Sequence, residues 1–265
     1  MIRKIRSVSN SEIKEYTKLL KKSKARREAK LFLIEGAREL NIAIKNNYSI
    51  CKIMFNPNLI DENEVKKYVG DKIKCIEVSQ NVYNKISYRS STEGIIALAE
   101  EKSHKLEKLK FKSTTPLIMI LDGIEKPGNI GALLRTSDAA KVDAVFIVNQ
   151  KTDLYNPNII RSSIGCLFSN QIILSNIKDT IDFLNKTKIK IISTSLTASK
   201  QYQKINYKKA CAIVLGSEDK GISKEWYSKS DELIYIPMEG QTDSLNVSNS
   251  GAIIIYEAKR QRNFT

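Results

Sequence analysis

The sequence predicts an α/β protein, with a small α/β layer domain followed by a larger doubly wound, mostly parallel sheet. Short apolar runs alternate with helix-like stretches along the chain. In the second half these runs are apolar throughout over four to six residues, the pattern of strands covered on both faces. A polar stretch over 101–115 separates the two series, so the chain is read as a first domain over 1–105, a linker over 106–116 and a second domain over 117–265. With 265 residues, 42% of them apolar, there is enough chain for two cores.

The elements follow in order. A helix-like basic opening runs to about residue 30, and 31–34 (Leu-Phe-Leu-Ile) reads as a buried strand. Gly36 leads into a helix over 37–46, and the alternation continues with strands at 51–55, 73–78 and 94–99 and helices at 61–68 and 81–86. The second half is expected to supply strands at 117–121, 142–148, 171–174, 189–193, 211–215 and 232–236, with helices between them and an apolar helix over 252–258.

Charge points to a polyanionic partner. The chain carries 44 Lys and Arg against 29 Asp and Glu, a formal net charge of +15. The excess is uneven: 25 basic and 14 acidic side chains precede Leu117, and 19 and 15 follow it. Lys21, Lys22, Lys24, Arg26 and Arg27 cluster on the opening stretch, which reads either as a solvated helix face or as a phosphate-binding one. No apolar run approaches the roughly 20 residues that span a bilayer, and the basic N-terminus is not followed by a secretory signal pattern. A cytoplasmic protein without a membrane partner is expected.

Cys51, Cys75, Cys166 and Cys211 are widely spaced, with no CxxC pair and no neighbouring histidine, so four buried free thiols are expected and no metal site. The single histidine, His104, falls in the polar linker, where a solvated role is expected; this disfavours mechanisms that need a catalytic imidazole.

Three clusters follow expected strand ends, where open α/β sheets bind ligands. The first, Gly128 to Thr136 (GNIGALLRT), is a glycine loop running into a helix that carries Asn129 and Arg135; it lacks the full dinucleotide fingerprint. The second, Leu215 to Ser223 (LGSEDKGIS), is a glycine-bracketed polar loop containing Glu218. The third runs from Ile236-Pro237 through Ser244-Leu245-Asn246 to Ile253, and its Ser, Asn and Gly residues suit a helix start.

In order and spacing these clusters resemble the three signature motifs of the SpoU (TrmH-type) RNA 2'-O-ribose methyltransferases of the SPOUT superfamily, across 117–265. The opening 21–40 is similar to the substrate-binding domain of the ribosomal-RNA members. The resemblance implies a C-terminal trefoil knot, S-adenosylmethionine as methyl donor, and a homodimer with sites near its interface. By motif position it places Leu196, Gly216, Ile236, Pro237 and Leu245 around the donor. It casts Arg135 as the residue that acts on the ribose hydroxyl, with Asn129 orienting Arg135 or the ribose, Glu218 anchoring the knot loops or Arg135, and Ser244 and Asn246 completing a polar wall. Arg161 is a further candidate for RNA or cross-subunit contact.

An arginine, with a pKa above about 12, is a poor base, so the easier role for Arg135 is to hold an RNA phosphate and stabilise the developing alkoxide. Ribosomal RNA is the expected substrate. The alternatives are the same chemistry on transfer RNA, or a non-catalytic RNA-binding or ribosome-assembly protein that keeps the fold.

Overall fold

The computed structural model describes residues 2–70, 73–88 and 93–264. The chain divides into two compact units. One holds the residues up to Lys102 together with Asp153–Ser169; the other holds Ser103–Thr152 together with the residues from Asn170 onward.

The first unit contains β1 (Arg3–Ile5), α1 (Ser11–Lys21), α2 (Ser23–Ala29), β2 (Leu31–Glu35), α3 (Ala37–Lys45), β3 (Ile50–Phe55), α4 (Glu62–Val69), β4 (Lys74–Val78), α5 (Gln80–Ile86) and β5 (Ile95–Glu100). Its sheet has the order β1-β4-β3-β5-β2. β1, β4 and β3 are parallel, whereas β5 runs antiparallel to both β3 and β2. Helix α1 starts where the Asn10 side chain accepts the Glu12 N–H at 2.9 Å, and its buried Ile13, Tyr16 and Leu19 recur every third residue on one face.

Strand β1 was not expected. It buries only Ile5, while Arg3 and Lys4 stay at the sheet edge, 2.8 Å from Glu12 and 2.7 Å from Glu77. A three-residue charged edge strand resists pairing with another chain, and it has too few apolar residues to show a pattern.

The remaining elements are β6 (Leu117–Asp122), α6 (Pro127–Ala139), β7 (Ala144–Val148), α7 (Pro157–Ser162), α8 (Cys166–Ser169), β8 (Ile172–Ser175), α9 (Ile177–Lys186), β9 (Lys190–Thr194), β10 (Lys200–Gln201), β11 (Cys211–Leu215), α10 (Lys224–Lys229), β12 (Glu232–Tyr235) and α11 (Val247–Gln261). Helices α7 and α8 belong to the first unit, where Tyr155 stacks on Phe32 at 4.1 Å and Phe168 meets Tyr48 edge-on at 4.9 Å. Nothing in the alternation of the sequence separates 153–169 from its neighbours.

The second unit is a seven-stranded sheet of order β10-β12-β9-β11-β6-β7-β8, parallel throughout. Both faces are covered, as the unbroken apolar strands require. Ile118, Ile120, Ala212 and Val214 share one core with Ile181 and Leu184 of α9 and Trp226 of α10. On the other face α6 and α11 approach closely at Gly251, where a Cβ would lie 2.4 Å from the Leu133 side chain and 2.8 Å from that of Leu215.

The stretch 106–116, expected as a linker, lies against this unit, with Leu106, Leu109 and Phe111 packed on its core. His104 is not merely solvated: its Nδ1 lies 3.0 Å from the Ile172 carbonyl, beside the edge strand β8. Helix α11 begins five residues earlier than its apolar run, because the Asn246 side chain caps it by accepting the Ser248 N–H at 2.9 Å.

Candidate active site

The sheet order reverses between β6 and β11. From β6 the chain steps outward to β7 and β8 on one side, and the later strands fill the other side. Crevices at the carboxyl ends of strands at such a reversal are the usual ligand sites of open α/β sheets. The three sequence clusters converge there.

Asp122, the last residue of β6, is 2% exposed. Its carboxylate accepts Asn149 Nδ2 at 2.8 Å and the Ser223 N–H at 2.6 Å, which joins the loops that leave β6, β7 and β11. Helix α6 then starts with Pro127 in its first turn, where the missing N–H costs nothing. That start presents Asn129, whose Nδ2 donates to Glu218 Oε1 and whose Oδ1 accepts from Asn246 Nδ2 at 3.2 Å. Lys126 Nζ lies 3.7 Å from Glu218 Oε1. One hydrogen-bonded chain, Glu218–Asn129–Asn246, therefore ties the three clusters together.

The loop after β11 folds back on itself. Ser217 and Gly221 exchange two backbone hydrogen bonds of 3.0 Å each. Gly216 faces the returning strand so closely that a Cβ would lie 2.0 Å from the Gly221 carbonyl carbon and 2.2 Å from the Ile222 nitrogen, so only glycine fits.

Beside this loop a cavity of about 390 Å³ opens at the ends of β9, β11 and β12. Leu215, Ile234 and Ile254 form apolar wall, and the hydroxyl and backbone groups of 194–197, 216–221 and 244–245 supply polar groups. Of the residues expected around the donor, Leu196, Gly216, Ile236 and Leu245 line it; Pro237 sits between two lining residues without lining it itself. Glu218 and Ser244 line it as well, while Asn129 and Asn246 reach it through the Glu218 chain.

Arg135 stands apart. It is exposed, outside the cavity lining, and makes no hydrogen bond or ion pair with a described residue. Six residues after Asn129 on one helix, it is displaced by roughly 9 Å along the axis and about 120° around it. Two expected pairings are thus corrected: Asn129 does not orient Arg135, because both ends of its amide are held by Glu218 and Asn246, and Glu218 holds the α6 start rather than Arg135.

Two contributors escaped the sequence reading. Asp122 is one; it ends the first strand, where a carboxylate alone carries no signal. Tyr227 is the other. It lines the cavity from α10, its hydroxyl accepting from Ser195 Oγ at 3.3 Å, and no motif marks it.

In the first unit, Lys21, Lys22, Lys24 and Arg27 are exposed. Arg26 is a correction: it is 2% exposed, with Nε 2.5 Å from Asp153 Oδ2 and Nη1 donating to the carbonyls of Leu19 at 2.5 Å and Leu20 at 3.2 Å. Its guanidinium is consumed within the fold, and no phosphate reaches it. Arg161 is half-buried, its guanidinium 6.0 Å from the centre of the Tyr88 ring. The four cysteines are free, but only Cys211 is buried; Cys75 and Cys166 are half-buried and Cys51 is exposed. Among the described residues no cluster of three or more His, Cys, Asp or Glu is arranged to hold a metal, and no helix is long and apolar enough to cross a membrane.

Known proteins match both halves of this arrangement. Residues 10–97 match the MRM3-like substrate binding domain. Along 97% of its length the chain is 28% identical to the whole of the 23S rRNA (guanosine(2553)-2'-O)-methyltransferase of Bacillus subtilis (strain 168). It is 35% identical, over 75% of its length and 81% of the relative, to a 23S rRNA (guanosine-2'-O-)-methyltransferase of Coxiella burnetii. The AdoMet-bound rRNA methyltransferase of Sinorhizobium meliloti superposes with a TM-score of 0.89 at 26% identity, covering 98% of each chain. With residues 116–256 matching the SpoU rRNA Methylase family, and that span holding all three clusters that meet at the cavity, the chain belongs to this family.

Proposed function

We propose that this protein transfers the methyl group of S-adenosylmethionine to a ribose 2'-hydroxyl of ribosomal RNA. The observation that carries the proposal is the convergence of the three clusters on one cavity, joined by the Glu218–Asn129–Asn246 chain. The cavity suits the donor. Its 390 Å³ lies within the range of small-molecule sites, apolar wall beside exposed backbone and hydroxyl groups accepts a nucleoside, and no metal is required. Leu196, Gly216, Ile236 and Leu245 would hold it.

When bound, the donor supplies a methyl that its sulfonium already makes electrophilic. What remains for the protein is to position the hydroxyl and to manage one proton and one developing negative charge. The Asn129 amide is fixed at both ends, and Ser244 presents a hydroxyl at the cavity wall, so the polar side of the site is set before RNA arrives. Arg135, exposed and without a described partner, is available to a phosphate of the incoming strand, and through it to the alkoxide. The hydroxyl proton leaves to a phosphate oxygen or to water. Lys21, Lys22, Lys24 and Arg27 would hold the RNA backbone, with Arg161 as a further contact. The cytoplasmic location of such RNA, a homodimer and a knotted C-terminal region complete the reading, supported by the family membership.

Arg135→Ala is the test. Calorimetry should show unchanged donor affinity, and incorporation of labelled methyl into ribosomal RNA should fall on the order of a hundredfold, the scale of losing one preorganised donor. The wild-type protein should sediment at about twice its 30.0 kDa chain mass. Normal transfer by Arg135→Ala removes the role given to that residue; wild-type protein that binds RNA and methylates none removes the enzymatic reading.

A further inference from the structure

The methyltransferase unit buries a carboxylate at a place where the sequence pattern calls for an apolar side chain. β6 is apolar from Leu117 to Leu121, yet Asp122 closes it at 2% exposure, and it forms no ion pair with a described residue. A buried charge is costly unless hydrogen bonds replace its water, and such breaks with local pattern concentrate at functional sites. Here Oδ1 accepts Asn149 Nδ2 at 2.8 Å and Oδ2 accepts the Ser223 N–H at 2.6 Å. Asn149 Nδ2 also lies 3.2 Å from Ser223 Oγ, which closes a latch of three residues.

The latch lies at the root of the donor cavity without lining it. Asp122 stands one step past the last rung of the β6–β11 ladder, where Leu121 pairs with Leu215, and the chain leaving Leu215 is the loop that begins at Gly216. Residues 216–221 of that loop all line the cavity. The sheet fixes the near end of the loop, and the bond from Asp122 to the Ser223 N–H fixes its far end. Ser223 is also the residue from which α10 starts. From α10, Tyr227 lines the cavity and its hydroxyl accepts from Ser195 Oγ at 3.3 Å; just beyond the helix, Ser230 Oγ lies 2.6 Å from Ser193 Oγ of β9. One buried carboxylate therefore bears on the 216–221 wall directly and, through α10, on the 194–197 wall.

We infer that Asp122 is a positioning residue for the methyl donor: by holding Ser223 and Asn149 it sets the spacing of the cavity walls before the donor arrives, and with it donor affinity. The inference rests on the donor reading of this cavity. A wall ordered in advance spares the donor the entropic cost of ordering it on binding. Loosening the latch therefore weakens donor binding more than it slows transfer at saturating donor, because Arg135 and Ser244 lie outside the latch.

The test works from the exposed side of the latch, in the full chain. Asn149 is exposed, lies outside the cavity lining and has a φ of 51°, a conformation that aspartate tolerates. Asn149→Asp sets carboxylate against carboxylate where an amide donated. The double variant Asp122→Asn/Asn149→Asp restores the match: the introduced amide keeps an oxygen for the Ser223 N–H and donates to the introduced carboxylate. By calorimetry with S-adenosylmethionine, Asn149→Asp should bind at least about tenfold more weakly than wild type, and the double variant should return to within about threefold. An added carboxylate would by charge alone favour a cationic sulfonium, so the expected loss runs against long-range electrostatics. The KM for the donor should rise more than kcat falls, and exchange of the Gly221, Ser223 and Tyr227 amides without donor should quicken in the single variant and recover in the double. Quickened exchange with donor affinity unchanged would show a latch that serves stability alone and would overturn the inference. Weakened affinity with unchanged exchange, or a double variant as weak as the single one, overturns it as well. Wild-type protein that binds no S-adenosylmethionine would refute the donor reading and this inference with it, whereas failure of the variants alone refutes only the role of Asp122.

Discussion

Arg26→Ala should unfold the first unit rather than weaken its grip on RNA. The Arg26 and Asp153 side chains are 3% and 7% exposed, and their contact at 2.5 Å joins residues 127 apart in sequence. Removing the guanidinium strands a buried carboxylate and takes the hydrogen bonds from the Leu19 and Leu20 carbonyls at the end of α1. Breaking a buried pair from one side costs about 3–5 kcal/mol, because the remaining charge is left without compensation. Since two compact units need not unfold together, the measurement should be local: amide hydrogen exchange in β2 and β5, followed in Arg26→Ala, Asp153→Ala and Arg26→Met/Asp153→Leu. The double variant, which removes both charges and keeps apolar volume, should lose far less than the sum of the single changes. Below the temperature at which the unit opens, Arg26→Ala should leave the salt slope of RNA binding unchanged, whereas exposed Arg27→Ala should flatten it by roughly 0.7 to 0.9. A loss under about 1 kcal/mol, or additivity of the single changes, would refute the structural role of the pair.

Two further outcomes follow from local geometry. Gly216→Ala should reduce donor affinity at least about tenfold by calorimetry, or about 1.4 kcal/mol, because its Cβ meets backbone and the loop must move; wild-type affinity would contradict the close approach. Glu39→Gln should stabilise the first unit near neutral pH. Burial, with Glu93 and Glu35 adding to it, raises the Glu39 carboxyl above the ordinary glutamate range. The folded state therefore holds the proton to higher pH than the unfolded chain, and stability declines as pH rises through the folded value. The advantage of the variant should vanish on acidification below the unfolded glutamate range, and a gain constant from pH 3 to 8 in denaturant titrations would contradict it.

What the sequence made legible divides along physical lines. Strands buried on both faces, such as β6, β7 and β11, announce themselves because their residues are apolar throughout, Asp122 at the end of β6 excepted. β1 and β10, with three and two residues, lie at sheet edges where charge is tolerated, so they have no pattern to read. The start of α11 was misplaced because apolar periodicity begins at 252 while the cap that sets the start is polar Asn246. The candidate site was legible as three strings and not as an arrangement. That Asn129 meets Glu218, and that Arg26 turns inward, depends on partners 89 and 127 residues away. A run of like charges states how much charge is present, not which side chain the fold consumes.

The same distinction explains how the proposed donor cavity is built. Its β11 wall is fixed mostly by backbone and buried groups: two mutual hydrogen bonds between Ser217 and Gly221, the contact at Gly216, and Asp122 holding Ser223 just beyond. Leu196, on the opposite wall, is 67% exposed. Recognition through rigid backbone donors and acceptors needs no cationic side chain, which would repel the sulfonium; of the two carboxylates that line the cavity, Glu218 is engaged by Asn129 and Lys126 and Asp219 is exposed. The exposed cations stand elsewhere, at Lys21, Lys24 and Arg27 of α1 and α2 and at Arg135 of α6. A cationic cofactor and a polyanionic substrate make opposite electrostatic demands, and this fold meets them by keeping the donor cavity free of lysine and arginine apart from Lys220 at its rim.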